Sequence, residues 1–236
     1  MFKIWNAANF RRSAAGLSLL LAPLLFAAAE MAGPETSGDA SAQLATYAAH
    51  RGALLASALL DIGSFMLFLP ALFGLLQQVR RRGVVYAHIA AAMIVYAAVA
   101  LAALSGVNLM FWEMAKPGLD RNAMANLLDS LQHEMVVGAP LLLGHYMLAF
   151  GFILLGIGLW RANVAPRWAA LLVILFPVSD ILVSYLPVDG LVGDLISNAF
   201  GIVGFATLGL KLLASPDTAW DQAPSARPAA AQPVAA

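Results

Sequence analysis

VVYAHIAAAMIVYAAVALAALSGVNLMFW, residues 84–112, runs for 29 residues without an Asp, Glu, Lys or Arg. As an α-helix it would reach about 43 Å, beyond the ~30 Å hydrocarbon core of a bilayer. It can therefore span, and either tilt or project past the membrane. Five further apolar runs have the same character: Ser13–Gly33, Gly52–Gln78, Gly138–Trp160, Trp168–Pro187 and Leu191–Leu213. Between the last two, Val188–Gly190 follows Pro187 as a tight turn joining antiparallel helices.

The composition agrees. The 236 residues are 61% hydrophobic and 11% charged, with mean hydropathy +0.81. Soluble domains carry about 25% charged residues, so most of this surface must face lipid. The expected fold is all-α: a polytopic transmembrane bundle of six spans. Residues 1–12 form a cytoplasmic N-terminal segment, 13–214 the membrane domain, and 215–236 a disordered cytoplasmic tail rich in Ala and Pro.

Basic residues set the expected orientation. With the N-terminus inside, Lys3, Arg11, Arg12, Arg80, Arg81, Arg82, Arg161, Arg167, Lys211 and Arg227 are cytoplasmic, ten of the chain's 13. Arg51, Lys116 and Arg121 are external. This is a positive-inside pattern, placing both termini in the cytoplasm of a plasma membrane protein. Lys3, Arg11 and Arg12 before an apolar run ending near Ala27-Ala28-Ala29 also resemble a signal peptide. Retention as a first helix is the expectation; cleavage would leave five spans.

The external loops are the longer ones. Glu35–Arg51 turns helical from about Ser41. In Lys116–Met135, Met124, Leu127, Leu128, Leu131 and Met135 recur at helical spacing. They read as a short amphipathic helix on the outer surface or capping the bundle, or as an extension of the fourth span. Small residues mark packing faces: Gly144, Gly151 and Gly158 in the fourth span, Gly193, Ser197 and Gly201 in the sixth, and Ala87/Ala91 and Ala98/Ala102 in the third. An offset of 84 residues aligns Asp61 with His145, Phe68 with Phe152 and Gly74 with Gly158, a faint parallel repeat.

Net charge is zero, which leaves no basic field for nucleic acid. The absence of cysteine excludes disulfides, thiolate metal sites, iron–sulfur clusters and cysteine nucleophiles. There is no H-E-x-x-H and no G-x-S-x-G, and no cofactor is implied. His88 and His145 lie toward opposite membrane faces and cannot share one haem iron.

Ionisable groups inside a span cost at least ~2.5 kcal/mol and need a reason. Asp61 lies about 15 Å into the second span, with Ser57 and Ser64 on its stripe. His145, Asp180 and Asn198 each lie about 10 Å from the outer ends of their helices, and Asn108 is near the same level. If these faces converge, they form a polar pocket in the outer half. Each residue also has a plainer role. Asp61 can be a protonated interhelical acid, His145 a packing histidine, Asp180 a wetted helix-end residue and Asn198 a stitch between helices.

The first functional expectation is binding or transport of a small solute or ion, with Pro70 and Pro177 supplying kinks. The alternatives are a non-catalytic membrane interaction or assembly subunit, and an intramembrane metal enzyme using His145, Asp61 and Asp180. Expected partners are the lipid bilayer, that solute or ion, and a second copy or another membrane protein.

The fourth-to-fifth hairpin reads Leu159-Trp160-Arg161-Ala162-Asn163-Val164-Ala165-Pro166-Arg167-Trp168. This resembles a family of uncharacterised bacterial six-helix membrane proteins, classed as a domain of unknown function, in which Pro-Arg-Trp opens the next span. Arg80-Arg81-Arg82-Gly83 is similar in placement. The resemblance implies the six-helix fold and no activity. Pro166 and Trp168 are also explained as a helix starter and an interface anchor.

Overall fold

The computed structural model describes residues 7–79, 82–183 and 190–215. They form eight helices: α1 Ala7–Ala32, α2 Ala40–Ala49, α3 Arg51–Gln78, α4 Val84–Met114, α5 Arg121–His133, α6 Met135–Ala162, α7 Arg167–Val183 and α8 Gly190–Ala214. The fold is all-α. α1, α3, α4, α6 and α8 are long and apolar enough to cross a membrane. The fifth expected span, Trp168–Pro187, is described over the 17 residues of α7. Its end at 184–187, the turn at 188–189, Arg80 and Arg81, and the tail from 216 lie outside the described residues.

The six long helices make a ring. Each packs on its neighbours in chain order, α1 on α3, α3 on α4, α4 on α6, α6 on α7 and α7 on α8, and α8 closes the ring against α1. Successive helices alternate in direction. One core of buried residues runs through all six, from Leu19 of α1 through Leu72, Ile94, Phe152 and Val173 to Phe205 of α8. The outside of the ring is apolar too: Leu21, Met66, Val99, Phe150, Leu171 and Leu210 are exposed large hydrophobics, one from each helix. A surface apolar on every side has no stable partner in water, and acyl chains are its matching solvent.

Small residues set the closest approaches. A Cβ on Gly144, Gly151 or Gly158 would meet Ala100, Ile94 or Ala87 of α4 at 2.9, 2.7 and 3.3 Å. The seven-residue glycine spacing is therefore the face on which α6 meets α4. Gly201 and Gly204 of α8 lie equally close to Phe176 and Val173 of α7. Gly83 opens α4 at φ +78° and sits against the Gly158 carbonyl, a place for glycine alone.

α2 and α5 lie at one end of the ring, joining α1 to α3 and α4 to α6. Asp39 caps α2 by accepting from the Ala42 N–H at 2.8 Å, and Asp120 caps α5 by accepting from Asn122 at 2.9 Å. The two pack together over the projecting end of α4, burying Leu44, Tyr47, Phe111, Met114 and Leu128 in a second core. Glu134 breaks the chain between α5 and α6, so α5 is a separate capping helix and not an extension of the fourth span. Arg51 braces this end, stacking 4.6 Å over Trp112 and donating to its carbonyl. The opposite end carries Arg12, Arg82, Arg161, Arg167 and Lys211. There Arg161 donates to the Tyr86 hydroxyl at 2.7 Å, and Lys211 to the Val164 carbonyl at 2.5 Å.

If glycine sets the α4–α6 distance, Gly151→Val should overpack it at a cost of about 1–3 kcal/mol. The detergent-solubilised variant should melt several degrees below the parent. Gly106→Ala, whose added Cβ would meet nothing within 4 Å, should not.

Candidate functional site

The ring is filled along only part of its axis. Phe68 of α3, Phe152 of α6 and Phe205 of α8 meet pairwise with centroids 5.4, 5.7 and 5.2 Å apart. Phe176 meets Phe152 at 5.7 Å with the rings tilted by 44°, and Phe26 meets Phe65 and Phe176 at 6.0 Å. Beside this aromatic layer the packed half holds a void of about 10 Å³, room for one water at most.

On the α2/α5 side of the layer, the axis opens into a cavity of about 290 Å³. All six long helices line it. Its floor is Phe26, Phe65, Phe152 and Phe176, and its walls carry Glu30, Asp61, Ser105, Asn108, His145 and Asp180. Glu30, His145 and Asp180 are exposed and Asp61 is half-buried, so the cavity is open to its surroundings. Pro177 lies in the wall, where its missing N–H deprives the carbonyl one turn earlier of its helical donor.

Thus Asp61, His145, Asp180 and Asn108, named from depth in their helices, share one cavity. Asn198 does not line it. It is buried and donates through Nδ2 to Glu30 Oε2 at 2.6 Å, holding that carboxylate from behind and stitching α8 to α1. Ser64 leaves the stripe assigned to it beside Asp61: it is fully buried and donates to the Ala22 carbonyl at 2.9 Å, tying α3 to α1. Ser105 stands against Asp61 instead, 3.5 Å from Oδ2, while its hydroxyl also donates to the Leu101 carbonyl at 3.1 Å.

His145 Nδ1 lies 3.1 Å from the Leu141 carbonyl. A carbonyl only accepts, so Nδ1 carries the proton and Nε2 is the ring's other polar atom. Asp61 and Asp180 are within electrostatic reach of this ring, and Glu30 of Asp61, Asp180 and Asp194. No Lys or Arg is among the described residues lining the cavity. His88 sits near the opposite end, bonded to the Val84 carbonyl at 2.8 Å.

Glu30 and Ser197 are the residues a reading by depth misses. Glu30 follows three alanines inside the first apolar run, Ser13–Gly33, about one turn from its outer end. The signal was a carboxylate still two residues inside α1. Ser197 lines the cavity, is 2% exposed, and its hydroxyl has no hydrogen-bond partner among the described residues.

Among the described residues no three His, Cys, Asp or Glu side chains gather closely enough to hold a metal ion. His145, Asp61 and Asp180 share a wall without forming a ligand set. The arrangement can accept hydrogen bonds and hold positive charge above an aromatic floor. No family model, no curated protein and no solved structure matches the chain.

The Glu30–Asn198 bond should be measurable as a coupling between the first and last helices. A double-mutant cycle of Glu30→Gln and Asn198→Ala, read by detergent unfolding, should give about 0.5–2 kcal/mol of interaction energy. A value near zero would place the two side chains apart in the membrane.

Proposed function

We propose that this is a six-span plasma membrane protein with both termini in the cytoplasm, whose cavity opens outward and holds a small solute or ion. The observation that carries this reading is the cavity itself. It is lined by all six helices, polar in its walls, and closed toward the basic end by packed phenylalanines. Its volume is near the lower bound of small-molecule sites, about 300 Å³.

The orientation rests on charge. Among the described residues, Arg11, Arg12, Arg82, Arg161, Arg167 and Lys211 lie at the end away from the cavity, and Arg51, Lys116 and Arg121 at the cavity end. α7 joins the spans because it completes the ring beside five helices that meet the length criterion. α1 is retained in this reading, since it supplies Phe26 and Glu30 to the cavity and packs on α3 and α8. Membership of the uncharacterised six-helix family, suggested by Pro166-Arg167-Trp168, is part of the same proposal.

The aromatic layer separates binding from transport. As it stands, a bound solute reaches the axis from one side only. Carriage across the membrane would require Phe68, Phe152 and Phe205 to part.

The chain has no cysteine, so single cysteines can report access. Ala149→Cys and Asn108→Cys, both in the cavity wall, should react in intact spheroplasts with small, charged, membrane-impermeant methanethiosulfonates. Arg82→Cys at the opposite end should react only after permeabilisation. Labelling of Arg82→Cys alone in intact spheroplasts would reverse the orientation. Failure of both cavity variants to react with either sign of reagent, even after permeabilisation, would remove the pocket.

A further inference from the structure

The charges and hydrogen-bonding groups of the cavity restrict what it can hold. Glu30, Asp61 and Asp180 line it, and no Lys or Arg is among the described lining residues. A carboxylate ligand would meet like charge on each of the three that is ionised. The polar inventory is also lopsided. Ionised carboxylates only accept and Ser105 already donates within the protein, which leaves the Asn108 amide and the Tyr146 and Ser197 hydroxyls as side-chain donors among the described lining residues. The buried Ser197 hydroxyl lacks a partner among the described residues, and a buried hydroxyl left so is unfavourable until something bonds to it. Its oxygen can accept an N–H. A bare divalent ion fits poorly, since no three ligating side chains converge among the described residues.

The lower half of the cavity is apolar. Phe26, Phe65, Phe152 and Phe176 form its floor, and Leu101 and Leu148 its sides. Aromatic faces attract cations, more strongly where water is excluded. Hydrogen-bond acceptors above and hydrocarbon below match one kind of molecule.

We infer that the cavity takes an organic monocation, a protonated amine on a small apolar or aromatic body. The ammonium sits among Glu30, Asp61 and Asp180 with an N–H toward Ser197, and the body rests on the phenylalanine floor. This assignment deepens the solute-pocket reading and rests on it.

The test uses the full-length protein in nanodiscs, with 2-phenylethylammonium as the probe. Labelling rates of the Ala149→Cys and Asn108→Cys variants are compared for a cationic and an anionic methanethiosulfonate, each normalised to Asn122→Cys on the exposed face of α5. The normalised ratio should favour the cationic reagent at least tenfold. Combining Glu30→Gln with Asp180→Asn should bring it close to one. 2-Phenylethylammonium should slow cavity labelling at least fivefold, whereas 2-phenylethanol, phenylacetate and sodium chloride at matched ionic strength should not. Equal ratios for the two reagents, or protection by the alcohol or the carboxylate as strong as by the amine, overturns the cation assignment and leaves the pocket standing. A charge preference without protection by the amine overturns it too. Absence of labelling by either reagent at both cavity positions removes the pocket and the assignment together.

Discussion

Phe68, Phe152 and Phe205 meet at the bundle axis, and the six helices close around that contact. Each phenylalanine lies seven residues, two helical turns, after a polar residue: Asp61, His145 and Asn198 respectively. Two turns is about 10 Å, so the aromatic layer and the polar level stand at a fixed separation on three helices running the same way. The seven-residue spacing of the second and fourth spans recurs in the sixth, although Lys211 stands where Gly74 and Gly158 would be matched. Filling the axis with three rings at one level, and with shorter side chains above it, makes one half of the bundle dry and leaves the other hollow.

The elements were legible because their cause is one-dimensional. A segment must be apolar for about 20 residues to lie in hydrocarbon, and that length is visible without a fold. Five of the runs accordingly fall on the helices long enough to span, the fifth run is described only as far as Val183, and Gly144, Gly151 and Gly158 identify the side of α6 that meets α4. Depth was legible for the same reason: counting residues from a helix end gives height. Azimuth was not. Neighbouring helix positions point about 100° apart, which is the whole difference between Ser197 in the wall and Asn198 behind it. Asp61 and Ser64, three positions apart, diverge similarly, one toward the cavity and one into the α1 seam. Glu30 stood inside the first run, Ser13–Gly33, but within a turn of its end, where a carboxylate can reach water and does not by itself point to a pocket.

Lipid removes the usual reason for helices to associate. A leucine gains little by leaving acyl chains for another leucine, so close backbone approach and interhelical hydrogen bonds carry more of the cohesion. This accounts for the division of labour around the ring. The α4–α6 and α7–α8 contacts are made through glycine against Ala, Ile, Val or Phe. The α1–α3 contact adds the Ser64 hydroxyl on a main-chain carbonyl. Large residues instead fill the axis, as Phe152 and Phe205 do, or point outward, as Met66 and Val99 do.

The seam between α1 and α8 is where these demands collide. It joins the two ends of the chain, so it closes a loop spanning the entire fold, and it is the last contact available to complete the ring. Gly16 and Gly209 bring the two helices together. Arg12 donates to the Ser215 carbonyl at one end, and Asn198 donates to Glu30 nearer the other. Glu30 is therefore both a ring-closing acceptor and a charge in the cavity wall. A neutral residue there would empty part of the cavity's charge and also loosen the seam. Asp180, on α7 and away from that seam, carries charge into the same cavity without closing the ring. Ring closure and cavity charge are thus coupled through one carboxylate and separable through the other. A solute that neutralised Glu30 would act directly on the contact that holds the first helix to the last.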